Sequence, residues 1–400
     1  MKNPRFSLLL FPLTLLLLLP SCSSETAKKT VTTEGLQPID IKTPKFFRLI
    51  QPWKEGKLVT IESYGRFAEI SFKGADKIKI TPLVEFPRTQ LDRELLTWPE
   101  AGLIAGTTGK MHHLAAVDDN KTRSHVPLLT WVHYSYVPVL LDAKEGLVGY
   151  CYALQDNYVG TKFFIFNYKE DTITYESPDG FTILPQLAMD NNYILSWERF
   201  FNEEEERKES KKIFYNWRTN EIVENDLTKT INQDRVDMLI DPLRNIHPGR
   251  RCMFGYSNTI GQKVMVTWDE EYSDVKVTPL SYLAPEGKGL TNFTISTDGL
   301  WGSTLVWGYR GLFDEQLCKR AFFHFDGRYP NGISMPIITD DYEVRQREYS
   351  AFVEHPVHGL CYAQEWHKND QLYLRLYKMD DVLAEINRRL LEGAKEVIKK

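Results

Sequence analysis

A strand, a polar turn and a second strand recur along this chain, and the spacing of the copies limits the fold more than any other feature. The clearest pair is FFIFNYKEDTIT at residues 163 to 174 and KIFYNWRTNEIV at residues 212 to 223. In each copy a β-prone run closes on an aromatic, Tyr168 or Trp217, before the polar turn. Trp268, Phe325 and Tyr377 hold the same place downstream, and Val117 and Phe72 hold it upstream. These seven anchors are separated by 45, 51, 49, 51, 57 and 52 residues. A period near 50 made of short alternating strands is the signature of β-propeller blades, whereas a helical solenoid would repeat its apolar residues at helical spacing.

Two further markers share the period. Asp142, Asp190, Asp241 and Asp298 stand 26, 27, 27 and 27 residues before their anchors, each at the end of a short β-prone run and ahead of turn-forming residues. Cys151, Cys252 and Cys361 stand 17, 16 and 16 residues before theirs. One unit then reads as inner strand, Asp turn, second strand through the Cys position, variable loop, third strand ending in the anchor, polar turn and outer strand. The fold class is all-β: a seven-bladed β-propeller, with six or eight blades as the neighbouring counts, followed by a short C-terminal helix. Blade one is expected at roughly 44–50, 57–63, 66–72 and 77–80, while the inner strand of blade two lies somewhere within 82–97. No outer strand follows Tyr377; instead Val382, Leu383, Ile386, Leu390, Leu391 and Val397 fall at helical spacing, with acids early and lysines late. Blade seven is therefore expected to borrow its outer strand from residues 36–42, which closes the ring without leaving an exposed edge. The STDG of residues 296 to 299 resembles the blade turn of TolB-like propellers.

The N-terminus bears on location. Lys2 and Arg5 precede an apolar run from Leu8 to Leu19, the layout of a signal peptide and too short to span a bilayer comfortably. The following Leu19-Pro20-Ser21-Cys22 resembles the lipobox of bacterial lipoproteins. That resemblance implies that Cys22 is lipidated and becomes the mature N-terminus; the other reading is an ordinary secretory signal with an incidental cysteine. Residues 23 to 35 are small and polar, as a tether would be. The chain thus divides into a signal over 1–22, a tether over 23–40, a propeller over 41–379 and an amphipathic helix over 380–400. Removing Lys2 and Arg5 leaves 47 basic against 54 acidic residues, a net charge of −7. Nucleic-acid binding, which needs a strongly basic surface, is not expected.

Motifs for chemistry are missing. The chain has no HExxH, CxxC, GxSxG, Walker loop or GxGxxG, and the adjacent His112 and His113 of a strand point to opposite faces. No metal, cofactor or catalytic set is assigned. The aspartates could form a ring of carboxylates around a channel, but an Asp that opens a turn also accepts hydrogen bonds from the backbone just beyond it, and that role is preferred. Cys151, Cys252 and Cys361 fall on non-adjacent blades, too far apart for disulfides, so four free, mostly buried cysteines are expected. Propellers usually bind on the face that carries the second–third loops and the crossings between blades. Candidates there are Trp131, His133, Tyr134, Glu198, Arg199, Tyr309, Arg310, Glu365, Trp366 and His367, rich in the aromatics and arginines of binding hot spots. For Trp131 and Tyr136, packing between blades is an equal alternative. The primary expectation is a lipid-anchored, non-catalytic binding or scaffold module of the cell envelope with a protein or glycan partner. The alternative is an envelope hydrolase or lyase, with acid–base work by Glu198, Glu365, His133 or His367 and charge stabilisation by Arg199 or Arg310.

Overall fold

The structure, a computed structural model, describes residues 36–43, 49–63, 66–86, 95–108, 111–117, 121–125, 134–135, 138–153, 161–178, 180–202, 207–238, 244–246, 249–284, 289–309, 316–326, 332–339, 343–344, 350–368 and 371–398. Its strands group into seven antiparallel sheets, arranged as the seven blades of a β-propeller. Blade four shows the plan: inner strand Ile183–Ala188, second strand Tyr193–Asn202, third strand Arg207–Asn216 and outer strand Glu221–Val223.

Burial explains the sequence pattern from the centre outward. The third strand of blade three, Thr161–Asn167, is buried at all but one position because a neighbouring blade covers each of its faces. Its outer strand, Thr172–Glu176, is exposed at all but one position and is correspondingly polar. Second strands need space for third-strand rings: a Cβ added at Gly302 would lie 2.1 Å from the ring of Phe323, its partner across the ladder.

Each seam between blades holds one apolar cluster, and each cluster contains the anchor of the later blade. Trp217 packs with Leu141, Leu147 and Cys151 between blades three and four. Trp268, fully buried, packs with Met189 and Leu195 between blades four and five. Tyr168, Phe325, Tyr377 and Phe72 do the same at seams two–three, five–six, six–seven and seven–one. Val117, partly buried, closes the series between blades one and two. The period of the sequence is therefore the period of the seams. A lone blade would leave both faces in water.

The ring closes as the sequence implies, with Ile39–Lys42 pairing as the outer strand of blade seven. It lies antiparallel to the third strand Gln371–Lys378, in the register Ile39 with Leu376 and Lys42 with Tyr373. The amide of Thr43 extends the ladder by donating to the Leu372 carbonyl at 3.0 Å. Strand thus begins at Ile39, inside the segment read as tether, because Ile39 and Ile41 find apolar cover in the seven–one cluster.

Several local expectations shift. The described inner strand of blade one is Leu49–Trp53 and its outer strand runs Ile78–Glu85, both further along the chain than expected. Blade two begins at Leu95–Trp98. In blade five the inner strand comes in two pieces, Val236–Met238 and Arg244–Ile246, so the turn to the second strand follows Ile246. Asp241 lies outside the described residues. A helix, α1 (Asp226–Gln233), occupies the crossing from blade four to blade five, where the repeat alone implies only strand. Its cause is local: Asn225 accepts from the Thr228 amide while the Thr228 side chain returns to Asn225, a capping box. The C-terminal helix, α2 (Met379–Ile398), continues directly from the last strand and packs Met379, Val382 and Ile386 over the six–seven seam.

Candidate functional site

Second strands run from the inner–second turn to the second–third loop, so their final residues stand at the crossing face. Glu365, Trp366 and His367 occupy this position on Gly359–Lys368 of blade seven. Alternation sends Glu365 and His367 to the side of blade one, and the two side chains meet, Glu365 Oε1 to His367 Nε2, at 2.5 Å. Trp366 points to the other side. There Arg375 stacks on its ring with 3.8 Å from guanidinium carbon to centroid.

Behind Trp366 lies a polar row that crosses the blade. Ser350, Gln364, Arg375 and Asp40 are successive ladder partners from inner strand to outer strand. Arg375, 6% exposed, donates through Nε and Nη2 to the two carboxylate oxygens of Asp40, both at 2.7 Å. Ser350 bonds to the Tyr362 hydroxyl, and the Tyr362 ring carries the Arg320 guanidinium of blade six at 5.1 Å. Neither the Gln364 amide nor the Trp366 indole N–H has a hydrogen-bond partner among the described residues. Cations and donors thus dominate the seam beneath the blade-seven rim.

Glu198 is at the matching height on blade four, where it pairs with Lys211 at 3.0 Å. Its neighbour Trp197 faces blade five, and Lys212 Nζ sits 3.8 Å from the Trp197 ring centroid. Lys212 is buried, and Asp237 of blade five lies 3.3 Å away. Burial pulls the Lys212 pKa below the ordinary lysine value, with Asp237 acting in the opposite direction. The outer strand of blade four is too short to reach Lys212. Asn232 of α1 takes its place, accepting from the Lys212 amide at 2.7 Å and donating to its carbonyl at 2.8 Å.

Of the sequence candidates, the structure joins Glu365 to His367 and sets Trp366 on the opposite side of the same strand. Glu198 is three blades away and held by its own partner. Tyr134, Arg199 and Tyr309 lie on described strands of blades three, four and six, with side chains outside the description. Trp131, His133, Tyr136 and Arg310 lie outside the described residues. Arg375, Asp40, Gln364, Trp197 and Lys212 were missed. For Arg375 and Lys212 the signal was present as a cation in an otherwise apolar third strand, in YLRLY and KIFYNW.

Asp142, Asp190 and Asp298 stand at the opposite, turn-bearing face, and the first two tie blades together. Asp142 accepts from the Glu145 amide at 2.9 Å and, through its other oxygen, from Arg218 of blade four at 2.8 Å. Asp190 holds the amides of Asn192 and Tyr193 and also receives the Tyr272 hydroxyl of blade five. Asp298 accepts from the Leu300 amide at 3.0 Å. In blade seven His355 does this work, its Nδ1 accepting from the amides of Val357 and His358 at 3.2 Å each. Burial, then the charge of His358, lowers the His355 pKa, consistent with an acceptor that stays neutral.

Cys151, Cys252, Cys318 and Cys361 are buried thiols outside any disulfide. Burial pushes the Cys361 thiol up to about 12, the reverse of what a nucleophile needs. Among the described residues no group of three or more His, Cys, Asp or Glu is placed to hold a metal, and no helix is long and apolar enough to cross a membrane.

No known protein family matches the sequence, and no curated protein does. Solved structures do match in shape. The β-propeller domain of the Trilobed protease from Pyrococcus furiosus aligns at a TM-score of 0.44 and 9% identity, covering 83% of this chain and 93% of that one. An ulvan lyase of a polysaccharide lyase family aligns at 0.41 and 10%, covering 86% and 94%. The WD40 β-propeller domain of Doa1 aligns at 0.40 and 12%, covering 86% and 98%. Likeness at this level transfers no function to this chain.

Proposed function

We propose that this chain is a membrane-anchored binding or scaffold module of the bacterial cell envelope, held by a lipid on Cys22, that receives a protein or glycan partner on its crossing face. The observation that carries the reading is the blade-seven rim. Trp366 is half-buried on a rigid strand and stacked by a salt-bridged arginine, and the exposed imidazole of His367 stands on the opposite side of the same strand end. Aromatic and guanidinium groups fixed in this way bind at low entropic cost, since their rotamers are already restrained. The N-terminal sequence supports the location: an apolar run from Leu8 to Leu19 precedes Cys22, and polar residues separate Cys22 from the propeller.

The test is a native pull-down from detergent-solubilised envelope, with mass spectrometry, comparing the parent with Trp366→Ala and His367→Ala. A stoichiometric partner retained by the parent and lost by both variants, at unchanged melting temperature, supports the reading. A partner retained by both variants moves the site off blade seven.

One observation favours a hydrolase or lyase instead. The Glu365–His367 pair is a carboxylate and an imidazole within hydrogen-bond reach, the minimum for general acid–base work. Turnover in a glycan and peptide substrate screen, abolished by Glu365→Gln, would establish it.

A further inference from the structure

The direction of the closing strand fixes where the tether leaves the propeller. Ile39 pairs near the end of the last third strand and Thr43 near its beginning, so the chain enters at the turn-bearing face and proceeds to the crossing face. Leu36 packs with Met379, Val382 and Ile386 of α2 on that same face. Only residues 23 to 35 separate Cys22 from this point. A polar linker of this length spans on the order of 20 Å, less than the roughly 30 Å length of a 20-residue helix such as α2.

Among the described residues, four of the eight large exposed apolar side chains belong to blades six and seven or to α2, and Ile173, Ile222, Ile260 and Tyr282 belong to other parts of the ring. Val357 lies in the inner–second turn of blade seven and is 57% exposed. Met335, 55% exposed, precedes the outer strand Ile337–Ile338 of blade six, against which α2 packs. Leu391 and Leu390 of α2 are 64% and 36% exposed. These four lie on two adjacent blades and on the helix that packs against them. Beyond them the sequence carries both signs, Glu392, Lys395, Glu396, Lys399 and Lys400.

We infer that the turn-bearing face of blades six and seven, with α2, is a bilayer-contacting surface, so that the propeller rests on the membrane through α2 and turns its crossing face outward. This inference rests on the lipid-anchored reading above. Exposed apolar side chains on a helix suit the interfacial region of a bilayer. It also assigns the blade-seven rim to the side where an extracytoplasmic partner approaches.

The full-length lipidated protein, reconstituted in phosphatidylethanolamine and phosphatidylglycerol vesicles, tests it. Leu391→Cys, Val357→Cys and Lys368→Cys variants carry an environment-sensitive fluorophore, Lys368 being exposed at the crossing face, and vesicles contain headgroup-level nitroxide lipid. Labels at 391 and 357 are expected to be quenched several-fold more than the label at 368. Equal quenching at 368, or none at 391 in protein that floats with vesicles, overturns the orientation. Shielding at 391 that persists in detergent also overturns it and assigns the surface to a protein. Cys22→Ser separates the premises: flotation that does not change in that variant removes the anchor reading, whereas Cys22-dependent flotation with the wrong quenching order removes only the orientation.

Discussion

Blades four and seven each bury a cation of the third strand over a tryptophan of the second, and they use it differently. Lys212 over Trp197 and Arg375 over Trp366 have the same 3.8 Å stacking distance and similar burial, 7% and 6% exposed. Lys212 reaches across a seam to a single oxygen of Asp237, whose side chain is 52% exposed. Arg375 offers a planar fork to both oxygens of Asp40, whose side chain is 26% exposed and belongs to the closing strand. A fork fits a carboxylate in two places; an ammonium fits it as a point charge. The lysine seam is thus held mainly by its apolar cluster and by Asn232, whereas ring closure depends on a specific ion pair.

This contrast can be broken by substitution. Asp40→Ala leaves Arg375 buried without its carboxylate and should cost about 3 kcal/mol in urea denaturation. A cost below about 1 kcal/mol would mean that the apolar contacts of Ile39 and Ile41 close the ring unaided. Asn232→Ala removes the partner of both the amide and the carbonyl of Lys212 and should cost about 1 kcal/mol, seen as a lower denaturation midpoint at constant slope. Lys212→Met should change stability by no more than about 1 kcal/mol near neutrality, since the methionine keeps the packing on Trp197 and avoids burying a charge.

The same variant sharpens the point through pH. Lys212 titrates lower in the folded chain than unfolded, so between those two values the unfolded chain binds more protons and stability rises with pH. Below both values the penalty is present in full and constant. Lys212→Met should flatten that alkaline rise in melting temperature; a rise of unchanged size would assign it to other groups.

Much of the fold was legible because one cause, the seam, acts seven times. Trp217, Trp268 and Tyr377 look alike in sequence since each fills the same gap between blades. The second role of Asp142 was not legible. Its turn bond to Glu145 is local, but its bond to Arg218 links residues 76 apart and requires knowing which turns are neighbours. Helix α1 escaped because Asn225 and Thr228 sit in a crossing whose length varies between blades. The candidate site was read in part. Glu365, Trp366 and His367 were visible as exposed-type residues near a hairpin, but the arginine that fixes Trp366 sits inside an apolar word, YLRLY.

The central claim is that Ile39–Lys42 locks blade seven and, through it, the ring. Hydrogen exchange on peptides covering 371–378 tests it most directly, comparing a chain that begins at residue 36 with one that begins at residue 44. The account predicts that the longer chain protects 371–378 as strongly as the third strand Gln262–Trp268 of blade five, and that the shorter chain loses this protection and melts earlier. Equal protection and equal melting in the two chains would contradict it.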